Sequence, residues 1–258
     1  MKMMLFDGSM EELLIAVYKV YVEKADPILY RKEDFIMNLI DEPIEILYDE
    51  DAFNRVRKAI QDKFLEESLD TITYALKNNS TKSPTLVLKY IISCFTNPKE
   101  GINYQNNIVL EVIKMSRQVE LESHRFMGFV RFSEIDGIYV SKINPDHDIL
   151  EFLAPHFTSR FQDQKFIIYD EKRRKALISQ NGEALFRNDI ELDSKFLLRD
   201  SFAVYWKEYY DNIAIKERRN PKAQKRSMPI RYWDNLIETK NDEPTAIKNS
   251  IWNPLIPK

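Results

Sequence analysis

Glycine, cysteine and histidine are all scarce in this chain: 5, 1 and 3 of 258 residues. Neither GxGxxG nor GxxxxGKS/T occurs, so the Gly-rich loops that cradle phosphates by close backbone approach are excluded. The one cysteine, Cys94, lies in the apolar run "LVLKYIISCF". It can form no internal disulfide and no zinc cluster, and reads as a small buried hydrophobe. The start, "MKMMLFDGSMEE", turns acidic after six residues and has no signal-peptide core. No apolar stretch approaches the ~20 residues that span a bilayer. These absences predict a cytoplasmic protein without a membrane partner, a metal or a bound cofactor.

What is present is ordinary in amount and uneven in distribution. Apolar residues make up 44% and charged residues 31%, the balance of a globular rather than a disordered chain. The length suits one large domain or two small ones. Net charge is only −3, yet residues 1–76 carry 17 acidic against 9 basic side chains. Residues 216–231, "KERRNPKAQKRSMPIR", carry 7 basic side chains and a single acid, Glu217. That asymmetry points to a polyanion-facing end on an acidic body, or to a solvated charge run at a helix end.

Periodicity divides the chain into three regions that together form one compact unit. Residues 1–116 read as mostly helical. A short strand leads to Ser9, which with Glu12 makes a capping box, and helices follow, among them 67–77, 84–95 and 106–122. Residues 117–190 read as α+β. "FMGFVRFSEIDGIYVSKI" and "KFIIYDEKRRKALISQ" suggest two hairpins, Asn181-Gly182 a third turn, and 147–161 a helix with Ile149, Leu150, Leu153, Phe157 and Phe161 on one stripe. The fold class expected is therefore α+β: an antiparallel sheet of four to five strands with one crossing helix, flanked by N- and C-terminal helices. Residues 191–258 read as helical, with an aromatic stripe of Phe202, Tyr205, Trp206, Tyr209 and Ile213, followed by a basic and aromatic strap.

Several of these stretches carry a family resemblance. "LFDGSMEELLIAVYKVY", "ESHRFMGFVRF", "YVSKINPDHDILEFLAPHFTSRF", "KFIIYDEKR" and "NPKAQKRSMPIRYW" together resemble a bacterial family of domains of unknown function. Its members are labelled probable DNA metabolism or putative DNA repair proteins. The resemblance implies a DNA-repair setting, a radical-SAM protein as companion, and kinship with domains fused to uracil-DNA glycosylase-like domains. The chain has no CxxxCxxC motif, so iron–sulfur chemistry would belong to the companion. Phe166 stands where many relatives carry tryptophan.

The chemistry-bearing residues fall into three groups. His124, His147 and His156 lie within 33 residues, but the last two are nine apart and on opposite sides of a helix, which argues against a shared metal site. His156 and Arg160, spaced i,i+4, share a face and could serve as acid/base and anion clamp. They could equally join Asp170 and Arg173 in a structural ion-pair network. His124 and Arg131, interleaved with Phe129 and Phe132, could bind a nucleic acid through its phosphates and by stacking. In the strap, Lys222, Lys225, Arg226 and Arg231 could sit on phosphates while Tyr232 and Trp233 stack or plug into the core. The leading expectation is a DNA-metabolism accessory protein that binds nucleic acid or a radical-SAM partner. The alternatives are a metal-independent enzyme on a nucleotide or nucleic-acid phosphate using His156 and Arg160, and an interaction module built on the acidic helical half.

Overall fold

The first strand, β1 (Met3–Phe6), ends in the turn that starts α1 (Met10–Glu23). Ser9 accepts the Glu12 N–H at 3.2 Å, and the Glu12 carboxylate accepts the Asp7 N–H at 2.7 Å. The first satisfies a donor that the helix start leaves open, and the second ties the preceding turn to the helix. The computed structural model describes residues 2–37, 42–190 and 220–236. β2 (Ile28–Arg31) and β3 (Ile44–Glu45) flank β1 in parallel, giving a small sheet of order β2-β1-β3.

Three helices follow: α2 (Glu50–Lys63), capped by Asp49, α3 (Glu66–Leu76), and α4 (Ser83–Thr96), with Pro84 in its first turn. Their apolar faces join Met4, Phe6 and Leu29 of the small sheet in a first core. α5 (Asn107–Phe129) is 23 residues long, about 35 Å at the helical rise. Val109 and Val112 near its start belong to the first core, whereas Val119 and Phe126 belong to a second. One helix thus ties both cores together.

The second core lies under a five-stranded sheet of order β4-β5-β6-β7-β8. Its strands are β4 (Ser133–Ile135), β5 (Ile138–Ile143), β6 (Phe166–Asp170), β7 (Lys175–Gln180) and β8 (Glu183–Arg187). α6 (Leu150–Arg160) crosses from β5 to β6 and buries Leu150, Leu153, Ala154 and Phe157. Two tight turns show the backbone their sequences require. Asp136-Gly137 and Asn181-Gly182 all have positive φ, between 51° and 79°, the twist that two-residue hairpins need.

The sheet is mixed, which corrects the antiparallel expectation: β5 and β6 pair in parallel while the other neighbours are antiparallel. The reason is the crossing helix itself. A helix of eleven residues carries the chain back along the strand direction, so the next strand starts at the same end as the last. The first hairpin also begins later than expected. "FMGF" stays helical to Phe129, because Val119, Phe126 and Val130 continue a buried face at helical spacing. His124 is therefore an exposed residue of α5, and Arg131 lies between helix and strand. Of the small parallel sheet, only β1 is foreseen by the sequence. The aromatic stripe of Phe202, Tyr205, Trp206, Tyr209 and Ile213 lies outside the described residues.

After Asn220, the short helix α7 (Pro221–Ser227) and a 3-10 turn, Ile230–Asn235, return the chain to α5. Tyr232 is 3% exposed and joins the second core. It sits edge-on to Phe126 at 4.9 Å between ring centroids.

Candidate functional site

The loop 144–149, between β5 and α6, sits at the carboxyl end of the parallel strand pair. In sheets with helical crossovers this end leaves loops free to line a crevice. Here the loop is fastened from three sides. From α5, the buried Glu122 accepts the N–H groups of Asp146 and His147, each at 2.8 Å, and also the hydroxyl of Tyr232. From the β6–β7 turn, Arg173 donates to the carbonyls of Pro145 and Asp146 at 3.2 and 2.6 Å. From the end of α3, the Lys77 carbonyl accepts the Asp148 N–H at 3.2 Å.

Charge is concentrated at the same place. Lys175 meets Asp148 at 2.5 Å, and Lys77 lies 4.0 Å from Asp148 and 2.6 Å from Glu151. Burial opposes ionisation of Asp148, but the two lysines outweigh it and hold its carboxyl below the usual range. Asp170, with no exposed surface, pairs with Arg173 at 2.9 Å. There burial wins: its carboxyl is pushed up, and Arg173 only partly restores it. His147 accepts the Asn79 N–H at Nδ1, at 3.1 Å, so its neutral form carries the proton on Nε2. Burial holds its pKa below the ordinary imidazole value, against the pull of Glu122 and Asp146.

Two clefts flank this loop, and both reach Asn79. The first, of about 430 Å³, lies between the two sheets. The turn after β1 brings Asp7, Gly8 and Ser9 to it, and the end of β2 brings Arg31. From the other side come Lys77, Asp148, Arg173 and Lys175. The carboxyl ends of the β1–β2 and β5–β6 pairs thus open on one cavity. The second, of about 540 Å³, is bordered by Arg125, Lys172, Arg231, His147, Glu122 and Tyr232 among others.

The residues singled out from the sequence separate on this geometry. Arg173 is at the loop, paired with Asp170. Arg231 borders the second cleft, 2.6 Å from Asp146, with its guanidinium 4.6 Å from the Tyr232 ring centre. Tyr232 is buried, and Trp233 is half-buried and donates to the Met228 carbonyl at 2.9 Å. Arg131 donates to the Gly128 carbonyl at 2.6 Å, as a cation closing a helix end does. His156 and Arg160 border neither cleft. The His156 ring stands edge-on to Phe157 with its Nε2 buried and unbonded, and Arg160 is exposed. Lys222, Lys225 and Arg226 are exposed on α7 and have no ion-pair partner among the described residues. No group of His, Cys, Asp or Glu among the described residues is arranged to hold a metal.

Sequence reasoning misses Glu122, Lys77, Asp148 and Lys175. The acidic "PDHD" reads as a helix start, and nothing local marks Lys77 or Lys175 as its partners; they are 71 and 27 residues from Asp148. A buried glutamate at the centre of an amphipathic helix, such as Glu122, was the available signal.

Compared with known proteins, residues 81–238 match the model of a domain of unknown function, DUF4130. The match runs from the start of α4 through the strap and takes in both cleft-forming loops of the mixed sheet. No functionally curated protein and no solved structure matches the chain.

Proposed function

The chain belongs to the DUF4130 family, and we propose that it is a nucleic-acid-binding accessory protein whose strap lies on the phosphate backbone. The observation that carries this reading is the state of the three α7 cations. Lys222, Lys225 and Arg226 lie at i, i+3 and i+4, so they share one helix face, and all three are exposed without ion-pair partners among the described residues. Elsewhere on this acidic chain the cations near the loop are held by carboxylates at 2.5–4.0 Å. A cation free of a partner is a cation available to a phosphate, with counterion release as the driving force. The strap is anchored by Tyr232 next to the second cleft, where Arg125 and Lys172 add to the basic surface.

The DNA-metabolism setting and the radical-SAM companion rest on the sequence resemblance alone. The test of binding is fluorescence anisotropy with labelled single- and double-stranded DNA over a salt series. Replacing Lys222, Lys225 and Arg226 together by Gln should weaken binding and flatten its salt dependence, by roughly one unit of slope for each phosphate no longer neutralised. Absence of salt-sensitive binding by the unaltered chain would sink the reading. Capture of the chain by the companion radical-SAM protein would then be the measurement to make.

A further inference from the structure

A sheet edge presents unpaired N–H and C=O groups that a further strand can use, so folded proteins shorten, cover or charge their edges. Three of the four edges among the described residues are treated in this way. β3 has two residues and β4 three. On the open side of β2 the Thr85 hydroxyl serves both backbone groups of Leu29, accepting the N–H at 2.9 Å and donating to the carbonyl at 3.0 Å. The fourth edge is left open. β8 borders the mixed sheet with five residues, all exposed, and contains neither proline nor lysine. Leu185 is 49% and Phe186 42% exposed.

The pairing of β8 with β7 decides what this edge offers. The two-residue turn Asn181-Gly182 makes Gln180 and Glu183 a hydrogen-bonded pair. Along β8, Glu183, Leu185 and Arg187 therefore turn their backbone groups to β7, and Ala184 and Phe186 turn theirs to the open side. Phe186 and Ala184 stand opposite the buried Leu177 and Ser179, which puts them on the core face. Glu183, Leu185 and Arg187 share the outer face. Neither Glu183 nor Arg187 has an ion-pair partner among the described residues, and their neighbours on β7, Gln180 and Ala176, are uncharged.

The strand, Glu-Ala-Leu-Phe-Arg, is thereby complementary to itself. Two copies run antiparallel about a two-fold axis at Leu185 bring each Ala184 opposite Phe186 of the other copy. Those are the residues whose backbone groups face outward, so both pairs exchange N–H···O=C bonds. On the outer face each Glu183 meets an Arg187, and the two opposite-charge pairs flank Leu185 against Leu185. We infer that β8 is a self-association edge, through which two copies of this chain join their five-stranded sheets into one. Such a contact is isologous and closes as a dimer. One strand pair buries little area and small interfaces are transient, so the dimer depends on concentration.

The test is sedimentation equilibrium of the full chain over a concentration series. The unaltered chain should pass from monomer to dimer as concentration rises. Glu183→Arg alone, or Arg187→Glu alone, sets like charges directly opposite at both positions, and each should weaken the dimer about tenfold or more. The two changes together exchange the charges and restore the pairing, so most of that loss should be recovered. With uncharged neighbours on β7 the fold should stand throughout, which circular dichroism checks. Ala184→Pro is the second kind of variant. It removes an N–H that only the other copy accepts, at an edge position where proline is tolerated, and it should leave a monomer. A chain that stays monomeric at millimolar concentration would overturn the inference and leave the edge to a strand of another protein. So would a dimer indifferent to the single charge changes or to Ala184→Pro, or a double variant no better than the single ones. None of these outcomes depends on whether the strap binds DNA.

Discussion

Arg173 and Arg226 carry the same guanidinium in opposite circumstances. Arg173 has 16% of its side chain exposed, faces a carboxylate with none exposed, and fastens two carbonyls of the loop 144–149. Arg226, on α7, is exposed and has no ion-pair partner among the described residues. In the first region charge serves the fold; in the second, no carboxylate among the described residues pairs with it. The difference shows why residue type alone does not assign a role. A buried cation is already committed to its partner, while a solvated one costs the fold nothing and keeps its field for a ligand.

The largest expected effect comes from breaking the committed pair. Burial pushes the Asp170 carboxyl up, and Arg173 only partly offsets this, so the charged carboxylate depends on its one cation. Arg173→Ala leaves that charge buried and alone, which costs about 3–5 kcal/mol. For a chain of this size the melting temperature should fall on the order of 10 °C. Combining Arg173→Met with Asp170→Asn should recover much of the loss, because the pair as a whole repays its desolvation poorly. A melt showing less than about 1 kcal/mol of loss for Arg173→Ala would erase the contrast between the two arginines.

The same contrast governs what was legible in the sequence. Turn chemistry was: Asp136-Gly137 and Asn181-Gly182 adopt the positive φ values that their types favour. The Ser9 cap was legible too, as was the stripe of α6, because each depends on neighbours within a few residues. The parallel pairing of β5 with β6 was not, although the crossing helix already required it. Nor was the continuation of α5 through "FMGF", where aromatic alternation imitates a strand. The charged network around Asp148 was least visible. Its members come from α3, the loop before α6 and the start of β7, and only the packing of one sheet against the other brings them together.

His147 offers a smaller effect that probes the loop between the two regions. Burial lowers its pKa below 6.5, so the unfolded chain binds the proton more readily than the folded one. Stability linked to this group is therefore fully present above the unfolded value and is lost as pH falls through the interval down to the folded value. The melting temperature should decline across that interval on mild acidification. His147→Asn keeps an acceptor for the Asn79 N–H and cannot titrate, so its decline should be shallower. Parallel pH profiles for the two proteins would remove His147 as the cause.

The smallest effect on the fold belongs to the strap, and it completes the comparison from the other side. Lys222, Lys225 and Arg226 contribute no ion pair among the described residues, and α7 is anchored through Tyr232 and Trp233 rather than through its charges. Exposed substitutions away from such anchors usually change stability by less than about 0.5 kcal/mol each. Gln also keeps the helix propensity of Lys and Arg. The triple Gln variant should therefore melt within about 2 °C of the unaltered chain while its salt-dependent DNA binding falls. That separation is the decisive one, because Arg173→Ala should show the reverse order of effects. If the strap variant lost stability in step with binding, its cations would be working for the fold as Arg173 does, and the surface would no longer be free for a phosphate backbone.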